Sequence, residues 1–365
     1  MTAAILVLTI GLAAANGAND VPKGVATLAG AGVTRYRTAM VWGTLTTLVG
    51  SFLSLRLADE LTKLFSKGII TATPTPAFTL AVLVGTVAWV AFATVTRLPV
   101  STTQALIGAL VGAGLVLGGE SVAWGALPEK VLLPTALAIG VAYGISFLLN
   151  LIRFRVPECI CVGAEAPAGA PAAIDPSGVA AFSPPPSALP RLRVEVGTVE
   201  ECRVHGKHGK RLDITVNGLH WLSSGAASLA RGLNDTPKIV AVGAFALVPA
   251  GMSSQSVLLY VAGAMAVGSV LFGTRVARRL GDDVVRMDHI EGFKANLTTA
   301  TLVGFAANRG LPLSTTQVSS SAIAGAAGQH PSRLNRRTLR DFLLAWTVTP
   351  VAAALVAAMV FAFLR

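Results

Sequence analysis

The sequence predicts an all-α polytopic membrane protein made of two inverted repeats of about five membrane elements each, with broken or re-entrant helices. Three observations lead there. The chain is 53% hydrophobic and only 13% charged over 365 residues, where soluble domains carry about 25% charged residues. Its mean hydropathy is +0.66, and apolar stretches of near-spanning length recur throughout. Finally, two motifs occur twice in near-register. Asn19-Asp20-Val21-Pro22-Lys23 returns as Asn234-Asp235-Thr236-Pro237-Lys238, an offset of 215; Leu98-Pro99-Val100-Ser101-Thr102-Thr103-Gln104 returns as Leu311-Pro312-Leu313-Ser314-Thr315-Thr316-Gln317, an offset of 213. Chance does not place two such motifs in step, and internal repeats of this kind mark secondary transporters.

Each half divides into five apolar elements. In the first repeat, residues 1–150, they are 3–29, 38–56, 77–96, 101–118 and 131–150. In the second, residues 218–365, they are 218–248, 254–274, 290–308, 314–328 and 341–364. The opening apolar stretch, Ala3 to Ala15, has no basic region before it and reads as the first membrane element. The first element of each repeat is long and carries the Asn-Asp motif in its middle, where a break or re-entrant turn is expected. Pro99 and Pro312 predict a second break before each Ser-Thr-Thr stretch, because the residue before a proline resists helix.

The net charge of +11 gathers in short clusters between apolar segments, which fits positive cytoplasmic loops and excludes a nucleic-acid stripe. Arg153 and Arg155 put the central loop in the cytoplasm, and Arg333, Arg336, Arg337 and Arg340 put the loop before the tenth element there too. The equivalent first-half loop, Gly119 to Lys130, has two Glu and one Lys and reads as external, so the halves are inverted. An odd number of crossings per half requires the same. The central loop, residues 151–217, divides into an Ala-, Pro-, Gly- and Ser-rich linker over 164–190 and a small β-hairpin. The hairpin's strands are expected at Leu192–Val196 and Leu212–Val216, with a turn at His205 to Gly209.

Asp20 and Asp235 stand inside apolar elements, where an ionisable side chain is expensive and marks function. The plain alternative is a helix end near the interface. Asn19 and Asn234 add amide oxygens, and carboxylate with amide oxygen is a hard cation-coordinating set. Lys23 and Lys238 each follow their Asp by three residues, on the same helix face. They serve either to neutralise a buried carboxylate or to occupy a cation site. Ser101 to Gln104 and Ser314 to Gln317 open apolar helices, and a helix N-terminus with its unpaired N–H groups suits an anion. Ordinary capping is the alternative for either copy alone. Gly108, Gly112 and Gly325 read as close-packing positions.

Gly17-Ala18-Asn19-Asp20-Val21, its second copy at Asn234-Asp235, and the paired Leu-Pro-x-Ser-Thr-Thr stretches resemble the PiT family of inorganic phosphate transporters over both membrane halves. The resemblance implies sodium- or proton-coupled phosphate uptake across the cytoplasmic membrane. It implies roles near the coupling ions for Asn19, Asp20, Asn234 and Asp235, and around phosphate for Ser101, Thr102, Thr103, Ser314, Thr315 and Thr316. Two departures stand out. Lys23 and Lys238 replace a second Asn, which favours protons over sodium as the coupling cation. Gln104 and Gln317 replace a frequent His, keeping a hydrogen-bond donor at the phosphate site without a titratable group. A sulfate or other oxyanion permease, or an anion channel, remains the alternative. No nucleophile–base pair or metal quartet lies in the membrane elements, so neither an enzyme, a cofactor nor a metal site is expected. Cys159, Cys161, Cys202, His205 and His208 lack standard zinc spacing. The expected partners are phosphate, a coupling cation and the lipid bilayer; whether the chain forms a homodimer is left open.

Overall fold

A computed structural model describes residues 1–96, 98, 100–151, 159–165, 191–198, 211–283, 287–327 and 334–365. The linker expected over 164–190 falls outside these residues beyond Glu165, as do Pro99 and the turn at 205–209. The chain divides into two compact units, Met1–Arg153 with His220–Arg365, and Phe154–Leu219.

The larger unit is helical. Its first half holds α1 (Thr2–Asp20), α2 (Pro22–Gly30), α3 (Tyr36–Leu57), a short α4 (Asp59–Lys63), α5 (Pro76–Val95), α6 (Thr102–Leu117) and α7 (Leu133–Leu151). A π-helical turn, Leu127–Leu132, leads into α7. Its second half holds α8 (Val216–Leu247, whose first turn belongs to the smaller unit), α9 (Ser254–Asp283), α10 (His289–Asn308), α11 (Thr315–Ala326) and α12 (Arg336–Leu364). Among the described residues six helical spans are long and apolar enough to cross a membrane: Thr2–Gly30, Tyr36–Leu57, Pro76–Val95, Leu127–Leu151, Ser254–Gly281 and Leu339–Leu364. Large apolar side chains such as Leu137, Leu148, Leu343, Leu355 and Phe363 stand exposed on α7 and α12, a surface that lipid would cover. The protein is a multi-pass membrane protein.

The expected break at the Asn-Asp motif is not there. Val21, between α1 and α2, keeps helical angles (φ −56°, ψ −39°), and α8 runs straight through Pro237. Proline costs each helix one hydrogen bond, which a transmembrane helix tolerates when its neighbours hold it. Asn16 to Lys23 are buried without exception, so packing holds the chain helical here. The other expected break does occur. The chain leaves helix between Val95 and Thr102, and again between Asn308 and Thr315. At 1.5 Å per residue α11 is about 18 Å long, well short of a bilayer core of about 30 Å.

Equivalent elements of the two halves pack reciprocally. α12 lies on α5 and α6, while α7 lies on α10 and α11. Glycine makes these approaches close. Gly112 of α6 meets the backbone of Ala354 in α12, and Gly325 of α11 meets the backbone of Tyr143 in α7. Gly17 of α1 faces Met265 of α9 as Gly232 of α8 faces Thr47 and Gly50 of α3.

In the smaller unit both strands expected from the sequence exist, as β2 (Arg191–Gly197) and β3 (Arg211–Thr215), but they do not pair with each other. Each lies antiparallel to β1 (Cys159–Glu165), which forms the middle of a three-stranded sheet in place of a two-stranded hairpin. A lone hairpin is marginal in water, and a third strand satisfies an inner edge on each side. Cys159 and Cys161 lie on β1; Cys202, His205 and His208 fall outside the described residues.

Candidate functional site

The four motifs come together as two linked clusters. In the first, Asp20 pairs with Lys23 one turn along the same helix face, and both are buried. The other oxygen of Asp20 accepts from the Thr102 hydroxyl at 2.6 Å and from the amide of Asn16. The Lys23 ammonium also donates to Asn19 Oδ1 at 2.9 Å, to the Val100 carbonyl at 2.8 Å and to Thr316 Oγ1 at 2.5 Å. Asn19 Nδ2 donates to the Leu98 carbonyl at 3.0 Å. Thr316 belongs to the second motif copy, so the first Asn-Asp-Lys set is closed by a hydroxyl from the opposite half.

The second cluster repeats the plan with different bonds. Lys238 donates to Thr103 Oγ1 at 2.6 Å, to the Leu313 carbonyl at 3.2 Å and to Asp235 Oδ1 at 3.4 Å. Asn234 Nδ2 donates to Asp235 Oδ1 at 2.9 Å and to the Leu313 carbonyl at 3.0 Å. The crossing is reciprocal: Lys23 reaches Thr316 and Lys238 reaches Thr103. The carbonyls of Val100 and Leu313 are free to accept because the chain there is outside helix.

The Ser-Thr-Thr-Gln stretches show capping as well as contact with the charged sets. Ser101 Oγ accepts from Gln104 N–H at 3.2 Å, and Ser314 Oγ from Gln317 N–H at 3.3 Å. These serines are N-caps, satisfying a first-turn donor of α6 and of α11. Thr102, Thr103 and Thr316 bond into the Asp and Lys clusters, while Thr315 is buried at the start of α11 without such a bond to Asp235. Gln104 Oε1 and Gln317 Oε1 have no hydrogen-bond partner.

One buried charge escapes the motif reading. Arg231 is 1% exposed on α8, one turn before Asn234 and Asp235. Its Nη2 donates to Ser319 Oγ at 3.0 Å, while Nε and Nη1 have no partner. Among the described residues no carboxylate lies within 4.0 Å of it. A signal was present: an arginine inside an apolar element deserves the same weight as the aspartates. At the motif offset of 215 its first-half counterpart is Asn16, which bonds Asp20 instead.

A cluster of paired intramembrane charges beside two capped, interrupted helices fits an ion- and anion-handling carrier, and comparison with known proteins agrees. A chain from Rhizobium meliloti named "Probable low-affinity inorganic phosphate transporter" is 27% identical over 354 residues, 94% of this chain and 90% of its own length. A Mycobacterium tuberculosis chain of the same name is 26% identical over 356 residues, covering 95% of this chain and 73% of its own. A solved structure described as the sodium-dependent phosphate transporter shares the fold, with a TM-score of 0.77 and 20% identity across 100% of this chain and 98% of that one. The phosphate transporter family model matches residues 16–357, and this chain belongs to that family.

Proposed function

We propose that the chain is a secondary active transporter that carries inorganic phosphate across the cytoplasmic membrane. It alternates access between two inverted copies of one unit, and it couples to protons in place of sodium. Family membership and the Rhizobium relative's name support the substrate. Ser101, Thr102, Thr103 and Gln104, with Ser314, Thr315, Thr316 and Gln317, are the residues assigned to phosphate. Asn19, Asp20, Lys23, Asn234, Asp235 and Lys238 are those assigned to coupling.

One observation carries the coupling. The Lys23 ammonium lies among the Asp20 carboxylate, the Asn19 amide oxygen, the Val100 carbonyl and the Thr316 hydroxyl. Carboxylate, amide, carbonyl and hydroxyl oxygens are what a sodium ion takes from a transporter's interrupted backbone. A tethered cation already fills that volume and charge, and Lys238 does the same beside Asp235, Thr103 and Leu313. Movement of one proton on a Lys–Asp pair then supplies the coupling step.

Labelled phosphate uptake into proteoliposomes tests this. Replacing sodium by choline at fixed pH leaves uptake intact, and an inward proton gradient alone drives it. Strict sodium dependence would overturn the coupling scheme. The double variant Lys23→Asn, Lys238→Asn restores amide ligands and makes uptake more sodium-dependent. Sodium coupling is the second reading, favoured by the name of the protein that shares the fold; the same choline experiment decides between them.

A further inference from the structure

Arg231 has no use in the coupling scheme, and its environment is costly. A guanidinium 1% exposed, with no carboxylate within 4.0 Å among the described residues and with two of its nitrogens unpartnered, carries a desolvation penalty that no direct ion pair offsets. The two Lys–Asp pairs cancel one another, so Arg231 leaves the cluster with one uncompensated positive charge. We infer that Arg231 is the side chain that holds the transported oxyanion in this carrier.

The chemistry of the fork supports this. Arginine presents planar, rigid donors matched to phosphate oxygens. Ser319 accepts from Nη2, so its own hydroxyl proton is available to an oxygen seated on Nη1. Asp235 Oδ2, on the same face of α8 one turn along, is an acceptor without a partner, suited to a P–OH. Donors for P–O⁻ and an acceptor for P–OH therefore project from one helix face. The first half has no cationic counterpart, because Asn16 carries no charge and its amide nitrogen is committed to Asp20 and Thr102. The subsite belongs to the second copy alone.

The inference rests on the phosphate reading above, and the experiment separates the two. Full-length protein in detergent is titrated with potassium phosphate, and the rise in Tm gives an apparent affinity. Arg231→Gln weakens that affinity by about 10- to 100-fold, the range for losing a hydrogen bond to a charged group. Meanwhile the phosphate-free Tm stays level or rises, because an unpaired buried charge has gone. A purely structural Arg231 gives the reverse, a lower phosphate-free Tm with an unchanged phosphate response, and that result overturns the assignment. Arg231→Lys retains more affinity than Arg231→Gln. Should Arg231→Gln fail to fold, Ser319→Ala replaces it: affinity falling about fivefold supports the subsite, and unchanged affinity overturns it. If unmodified protein neither responds to phosphate nor takes it up, the phosphate reading fails and the assignment with it. If unmodified protein responds and Arg231→Gln responds equally, only the assignment fails.

Discussion

The two motif clusters share a sequence plan and differ in how fully they are bonded. In the first, Asp20 has Lys23 on one oxygen and both Thr102 and Asn16 on the other. In the second, Asp235 Oδ1 receives Asn234 and a 3.4 Å approach from Lys238, while Oδ2 has no partner. Asn234 Oδ1 is likewise unpartnered, whereas Asn19 Oδ1 holds Lys23; Gln104 Oε1 and Gln317 Oε1 are alike in having no partner. The two copies share one sequence plan, and divergence at a few positions leaves Asp20 bonded on both oxygens and Asp235 with one oxygen open. Asn16 against Arg231 is the largest of those changes. The open cluster is the better candidate for holding cargo, because a saturated group has nothing left to offer a ligand.

The largest expected effect tests the fully bonded Asp20. Asp20→Asn leaves Lys23 charged, buried and without its counter-ion, a loss of about 3–5 kcal/mol for breaking one side of a buried pair. Asp235→Asn gives up a longer bond and an oxygen that has no partner, so its cost is smaller. Thermal or denaturant unfolding in detergent ranks the two variants. Equal losses, or a larger loss at Asp235, would break the comparison. Both variants lose phosphate uptake, which separates stability from function.

A gentler pair sharpens it. Thr102→Val keeps shape and removes the 2.6 Å bond to Asp20, at about 1.5–3 kcal/mol for a hydrogen bond to a charged group. Thr315→Val removes the equivalent hydroxyl, which makes no bond to Asp235, and costs under about 1 kcal/mol. The same unfolding measurement reads both. A Thr315 variant as damaged as the Thr102 variant would mean that the second cluster is bonded as tightly as the first.

Much of this was legible in the chain. Membrane elements could be read because length and apolarity are local properties; the ends of α3, α5 and α10 fall within two residues of expectation. The meeting of the four motifs followed from the repeat, since equivalent interruptions gather about a shared axis. Three features were not readable, each for a reason. The Asn-Asp motif in the middle of a long element led to the expectation of a break, yet burial keeps the chain helical through it, a tertiary effect invisible locally. Cys159–Glu165 is a strand only because β2 and β3 both pair with it, and neither partner is near it in sequence. Which oxygen is satisfied and which is orphaned depends on distances of a few tenths of an ångström between helices. Arg231 is different: an arginine inside an apolar element is visible in the sequence, but it has no match in the other copy, so the repeat does not single it out.

The smallest expected effect concerns the scaffold, where the two halves should behave alike. Gly112 and Gly325 occupy equivalent places, and a Cβ at either meets a neighbouring helix's backbone, Ala354 for one and Tyr143 for the other. Gly→Ala in a helix interior gains up to about 1 kcal/mol in propensity. Overpacking against backbone that cannot rotate away costs about 1–3 kcal/mol. The clash wins at both sites, and Gly112→Ala and Gly325→Ala each destabilise by a similar net amount. The two contacts share no residue, so the double variant should lose the sum of the single losses to within about 0.5 kcal/mol. Matched, additive losses would show that symmetry survives in the packing while the charged cluster has diverged. A large difference between the glycines would mean that the halves differ in their frames as well, and that the contrast between Asp20 and Asp235 is inherited from the helices around them.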